Sequence, residues 1–363
     1  MVGPDGQLAL PWLAPLLRQT LRSQQAHALL LHGPQGVGQF ELAIGLAQAW
    51  LCEAADALTY RATRPCGVCA SCRLVQAHSH PDLLVLLPEA LQEPLGWAAA
   101  ESEDGATERA GKTRQPSKEI KVDAVRAAVN FAQTTSARGR AKVVVLHPAE
   151  RMNGISANTL LKTLEEPPGS ARFLLSCAAP DALLPTIRSR CQGVAMLLPP
   201  IAQATEWLAA QGVADAGVML AAAGGQPQEA LEWTRQGITA AAWLRLPALV
   251  AQGSSTAFNG WPLARVVDAL QKLCHDAACV RAGAAPRYFA AAVFRADADP
   301  ASLNAWMREL NRVARHAEHP WNAGLMAESL VQQGQRALAA AVNGGSGGSG
   351  GRAARHASVH SGA

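Results

Sequence analysis

The chain has 363 residues, 49% apolar and 17% charged, with a net charge of +4. Those totals fit two or three globular domains and exclude a collagen-like or coiled-coil chain. No apolar run reaches the ~18 residues of a membrane span, no basic segment followed by an apolar core marks a secretory signal, and so weak a charge does not by itself argue for nucleic-acid binding.

Residues 11–27 carry Trp12, Leu13, Leu16, Leu17 and Leu21 at helical spacing, with the regular helix expected to begin as late as Pro15. A buried strand is predicted at Leu29–Leu31, then a glycine loop, then a helix over Gln39–Leu51 with Phe40, Ile44, Ala47 and Leu51 on one face. Gly33, Gly36 and Gly38 fall where a phosphate-binding loop needs its turn glycines. The two positions after Gly38 should be Lys, to reach the phosphates, and Ser or Thr, to hold Mg²⁺. They are Gln39 and Phe40, so the cation and the metal ligand are both absent and no nucleotide is expected to bind here.

Cys66, Cys69 and Cys72 repeat at two-residue intervals, which lets thiolates converge on one tetrahedral Zn²⁺. Cys52, at the end of the loop helix, is the favoured fourth ligand, ahead of His78 and His80. Four thiolates leave no open coordination position, so the zinc would be structural. A ferredoxin-type cluster would need a cysteine where Gln76 stands, and a redox pair is the remaining alternative. The rest of the eight cysteines are expected reduced, in a cytoplasmic protein.

Asp82–Leu87 reads as a strand, and residues 89–118 as a polar surface insertion. Ile120–Phe131 is amphipathic. Lys142–Leu146 has the unbroken apolar run of a central parallel strand. In an ATPase this strand ends in acidic residues that hold Mg²⁺ and orient water; here His147 and Pro148 follow. A helix over Asn153–Glu166 stops at Pro167-Pro168, Phe173–Ser176 is a further strand, and Ser189-Arg190-Cys191 follows.

Gly33–Phe40, the four cysteines, Ala157–Pro168 and Ser189-Arg190-Cys191 together resemble the delta-prime family of bacterial DNA polymerase III clamp loaders. The resemblance covers about residues 10–235 and implies an α/β AAA+ P-loop module with an inserted zinc hairpin, a small helical lid and a C-terminal all-α collar. It implies domains at 1–195 (zinc insertion at 52–80), 196–237 and 238–342. It further implies a subunit that does not hydrolyse ATP but donates Arg190, with Arg188 as the rival, to the ATP site of a neighbouring gamma/tau motor subunit. Implied partners are those motor subunits, the delta subunit and, through the complex, the sliding clamp and primed-template DNA. The family's nucleotide-sensing positions correspond to Gln228 and to Cys177 or Ala178, all weak for that task.

Three helices are predicted between Pro199 and Gly237, with Trp207, Met219, Leu220, Leu231 and Trp233 as their core. Residues 238–342 show further helical spacing, including Leu263, Val267, Leu270, Leu273 and Cys274, with Cys279 also assigned to core. Residues 343–363 read as a Gly/Ser tail. The alternative is an active P-loop ATPase in which Lys142 or Lys162 replaces the missing lysine; a zinc or redox binding module is the third reading.

Overall fold

The computed structural model describes residues 1–23, 26–54, 64–97, 116–316 and 321–339. Most of the expected 89–118 insertion and the whole 343–363 tail lie outside those residues. The chain divides into two compact units, Met1–Trp243 and Leu244–Ala363.

Five parallel strands form the first unit: β1 (Ala28–His32), β2 (Leu83–Leu86), β3 (Val143–Leu146), β4 (Arg172–Cys177) and β5 (Gln192–Ala195), in spatial order β2-β3-β4-β1-β5. The helices are α1 (Leu13–Ser23), α2 (Gln39–Leu51), α3 (Ala70–Gln76), α4 (Glu89–Gln92), α5 (Val122–Gln133), α6 (Gly154–Glu165), α7 (Pro185–Arg188), α8 (Ile201–Ala210), α9 (Ala216–Ala222) and α10 (Pro227–Arg235). A parallel sheet covered on both faces needs strands that are apolar throughout, and β1 and β3 meet that demand. Their side chains alternate between two cores. Leu29, Leu31, Val143, Val145 and Leu174 pack with α1 and α2 residues, while Leu30, Val144, Leu146, Phe173 and Leu175 pack with α5 and α6 residues.

Local chemistry sets the helix ends. Asn153 caps α6 by accepting from Ser156 N–H at 2.9 Å. α1 begins at Leu13, ahead of Pro15, because the first turn has no intrahelical use for the N–H that proline lacks. α5 begins at Val122, two residues later than the apolar pattern suggested. Ile120 instead bridges Met152, its N–H donating to Arg151 O at 2.9 Å and its carbonyl accepting from Ser156 Oγ at 3.0 Å. This buries its side chain and satisfies both main-chain groups, which a helical first turn would not. Trp207 is not lid core as predicted. It packs edge-on against Trp12 at 5.3 Å, and its Nε1–H donates to Ala9 O at 2.9 Å.

Asp82 fastens the β2 end of the sheet. It is fully buried, and its oxygens accept from Ala137 N (2.8 Å), Arg138 N (2.9 Å) and Ser136 Oγ (3.0 Å) while Lys142 Nζ lies 3.0 Å away. Burial alone would raise its pKa, but donation from Ala137, Lys142, Arg138 and Ser136 outweighs it and holds the carboxyl below the usual carboxylate range.

In the second unit the described residues form helices and no strand: the end of α11 (Ala240–Ala251), then α12 (Leu263–Arg281), α13 (Pro300–Arg315) and α14 (Ala323–Leu338). Leu270, Leu273, Cys274, Trp306, Leu310 and Leu330 are buried there, and Trp306 Nε1–H donates to Leu330 O at 3.0 Å. Cys279, assigned to core from sequence, is only half-buried and lies beside the His275 ring. Buried Asp276 accepts from three successive amides, those of Arg287, Tyr288 and Phe289, at 2.7–2.8 Å. No described helix is long and apolar enough to cross a membrane.

Replacing Asp82 with Ala strands Lys142 without its counter-charge and should cost about 3–5 kcal/mol in chemical denaturation. Because the folded pKa is depressed, the native protein keeps this stabilisation above the ordinary carboxylate pKa and loses it as pH falls through the folded value. A cost below about 1 kcal/mol would show that the 136–138 turn does not depend on this carboxylate.

Candidate functional site

In an open parallel sheet, ligands sit beyond the C-terminal ends of the strands where the strand order reverses. The turns after β1, β3 and β4 meet there, and they carry residues 33–38, His147 and Ala178. The loop after β1 keeps the phosphate-loop shape. Gly36 and Gly38 have φ of 72° and 101°. A Cβ on Gly33 would lie 2.3 Å from the Met196 carbonyl oxygen, so packing against backbone limits that position to glycine, while Gly38 is held to glycine by its positive φ, with Leu10 Cδ1 2.6 Å from where a Cβ would stand.

The chemistry inside that shape is not that of a phosphate site. Gln39 is buried and turns back into the loop, its Nε2 donating to Gly33 O at 2.9 Å and to Pro34 O. Phe40, at the metal-ligand position, lies 5.1 Å from the His147 ring and contacts Trp97 edge-on at 6.2 Å. His147 Nδ1 is 2.9 Å from Ser176 Oγ on β4. Burial pushes the His147 imidazole down to about 4, so it is neutral at pH 7 and offers phosphates no charge.

A cleft of about 550 Å³ remains above this contact. Among the described residues, Glu41, Glu150, Glu229 and Glu232 line it with Lys118 and Arg151 as the basic groups, and Phe40, Leu91 and Leu95 as apolar wall. The charge balance opposes a triphosphate. The N-terminus of α10 closes one side: Gln228 N–H donates to Gly36 O at 3.3 Å, and the Gln228 side chain bonds Glu41. Glu150 accepts from Ala178 N–H at 2.9 Å, which ties the β3 and β4 turns together. Lys142, a candidate substitute cation, is committed to Asp82 and lies 4.3 Å over the Phe131 ring. The carboxylates had no sequence signal, being spread from position 41 to position 232.

Cys52, Cys66, Cys69 and Cys72 form a second centre. Cys52 follows α2, Cys69 caps α3, and all four Sγ atoms lie within 4.8 Å of one another. A tetrahedral zinc with Zn–S of about 2.3 Å places its sulfurs about 3.8 Å apart. The Cys66–Cys72 and Cys52–Cys69 pairs are each 3.9 Å apart, so the donor set fits that ion. The amides of Cys69, Cys72 and Glu53 point at sulfur at 3.4–3.5 Å. Hydrogen bonding between Cys72 and Cys52 holds the Cys52 thiol well below its ordinary value and pushes Cys72 above it. Neither alternative histidine joins the cluster. His78 stacks on Trp97 at 3.9 Å, and His80 bonds Ser71 Oγ and Asp82 N–H.

The Ser-Arg-Cys turn lies at the other edge of the sheet, just before β5. Thr186 O accepts from both Ser189 Oγ (3.2 Å) and Arg190 Nη1 (3.1 Å). Arg190 Nη2 also pairs with Glu165 Oε2 at 2.9 Å. Arg188 pairs with Asp181 at 2.8 Å. Burial pushes the Cys191 thiol up to about 12, consistent with an inert packing role. Glu165 was not singled out from the sequence, although it lies inside the Ala157–Pro168 motif.

Residues 12–199 match the family described as DNA polymerase III, delta subunit. Over 236 residues the chain is 39% identical to DNA polymerase III subunit delta' of Pseudomonas aeruginosa, covering 63% of this chain and 62% of that one. It is 33% identical over 228 residues to the Escherichia coli K12 delta' subunit, covering 61% and 59%. The matches thus span about six tenths of these relatives' length. Among solved structures, a DNA polymerase III gamma subunit-related protein from Thermotoga maritima is 15% identical with a TM-score of 0.44, covering 90% of this chain and 99% of that one. The chain belongs to the DNA polymerase III delta-subunit family, and the relatives quoted from its sequence are delta' subunits.

Proposed function

We propose that this chain is a non-hydrolysing, cytoplasmic clamp-loader subunit of AAA+ architecture. It works beside gamma/tau motor subunits and a delta subunit to place the sliding clamp on primed-template DNA. Residues 196–237 are its lid and 238–342 its collar. The observation that carries the reading is the Phe40–His147 contact: an aromatic pair stands where Mg²⁺ would be held, beside a neutral Gln39 bonded to its own loop. Arg190 supplies the subunit's catalytic contribution in trans. Its guanidinium is permanently charged and matches the oxygens of a neighbour's γ-phosphate. The reading is also supported by family membership and by matches to tau subunits, such as that of Salmonella typhimurium at 33% identity over 165 residues.

Cys52, Cys66, Cys69 and Cys72 would hold a zinc ion, which when bound supplies a cross-link rather than chemistry. It would tie the end of α2 to α3. Around it, Gln48 clamps Val2 through both main-chain groups, at 2.7 and 3.0 Å, and Gln76 bridges Val2 O and Gly67 O. Against the active-ATPase alternative, Lys142 is held by Asp82, and Lys162 lies on α6 and is not among the described residues that line the cleft.

The purified chain with Mg²⁺ and ATP should release no phosphate above the buffer rate. In a loader reconstituted with its motor subunits, Arg190→Ala should assemble normally and lower turnover by at least about 10³-fold. Steady hydrolysis by the chain alone, or full turnover with Arg190→Ala, rejects this function.

Metal analysis should find one zinc per chain. Cys72→Ser should lose that zinc and melt at lower temperature. A wild-type chain that carries no metal, yet melts as the variant does, rules the zinc out.

A further inference from the structure

Arg190 is held on its own subunit from two directions. Of the five N–H groups on a guanidinium, one on Nη1 goes to Thr186 O and one on Nη2 to Glu165 Oε2. The Nε–H is buried without a partner. Each terminal nitrogen therefore keeps one uncommitted N–H, and two such donors are what bidentate recognition of phosphate uses. The Arg190 side chain is 29% exposed although its Nε is buried.

The two anchors differ in kind. Thr186 lies four residues back along the same turn and moves with Arg190. Glu165 lies on α6, the helix that carries the Leu-rich motif and stops at Pro167-Pro168. The rival arginine has no such reference point: Arg188 pairs with Asp181, a 95% exposed carboxylate seven residues away.

We propose that Glu165 is the positioning residue for Arg190. It fixes the guanidinium against α6, so that its two uncommitted donors are presented to a neighbour's γ-phosphate in one orientation. The proposal rests on the trans-acting reading of Arg190. Glu165 is itself 59% exposed, so its hold is a surface ion pair, weak enough to give way when phosphate arrives. Its contribution is orientation of the group before the transition state forms.

The test uses the reconstituted loader with Glu165→Ala, Glu165→Gln, Arg190→Ala and the double variant Glu165→Ala/Arg190→Ala. Glu165→Ala should lower kcat about two- to fivefold, with ATP KM, assembly and melting temperature unchanged. Glu165→Gln keeps an acceptor oxygen at the same reach and should recover most of the loss. On the Arg190→Ala background, Glu165→Ala should cost nothing further, since the group it orients is gone. If Arg190→Ala stops turnover while Glu165→Ala leaves kcat intact, the positioning role is wrong and the trans-acting arginine stands. A Glu165→Ala defect that appears in assembly or melting temperature, or persists undiminished on the Arg190→Ala background, also overturns it. If Arg190→Ala itself leaves turnover unchanged, the trans-acting reading fails first.

Discussion

The contact between Phe40 and His147 decides what the C-terminal edge of this sheet can do. Two turns that would share a divalent ion meet instead through two rings 5.1 Å apart, Phe40 buried and His147 half-buried. Burial keeps the imidazole neutral, so the pair has no charge to offer a ligand. Gln39 donates to Gly33 and Pro34, and Gln228 reaches Glu41. Carboxylates that would repel a nucleotide's phosphates stand around the cleft.

Why the loop keeps its glycines then has a packing answer. Gly33 runs against the Met196 carbonyl at the end of β5, closer than any side chain allows, and Gly38 packs against Leu10 and Leu13 at positive φ. The turn is part of the core and holds α2 onto the sheet whether or not it binds anything. Loop shape and loop chemistry are separable for that reason, and shape alone is a poor guide to nucleotide binding.

Four of the five strands were legible because a buried parallel strand is apolar on both faces, as in Val143–Leu146; β5, with only Val194 buried, carried no such signal. The losses at positions 39, 40, 147 and 148 were each legible against a known motif. The contact between two of those positions was not, because the pattern records what a residue cannot do, not what it touches. The cysteine spacing was informative for the same reason as the strands: geometry dictates it locally. Trp207 on Trp12 joins residues 195 apart in the chain through no periodic signal. Ile120 misled because one apolar residue beside an amphipathic run fits helix and bridge equally. Glu165 and Arg190 each sat in a readable motif, yet their pairing is a product of tertiary folding.

The altered phosphate loop and the arginine turn lie at opposite ends of the strands. Residues 33–38, His147 and Ala178 follow β1, β3 and β4, whereas Arg190 precedes β5. All five strands are parallel, so these groups are separated by at least the length of a strand, about 13–17 Å for four or five residues. Glu165 lies at the same edge as Arg190. The end of α6 is anchored there by His27, whose Nε2 meets Leu164 O at 2.7 Å just before β1 begins. At such a separation, across a packed core and with no shared partner among the described residues, substitutions are expected to act independently. Changes at Gln39 and Phe40 therefore leave the geometry of the arginine turn untouched, and the sheet between them transmits position rather than charge.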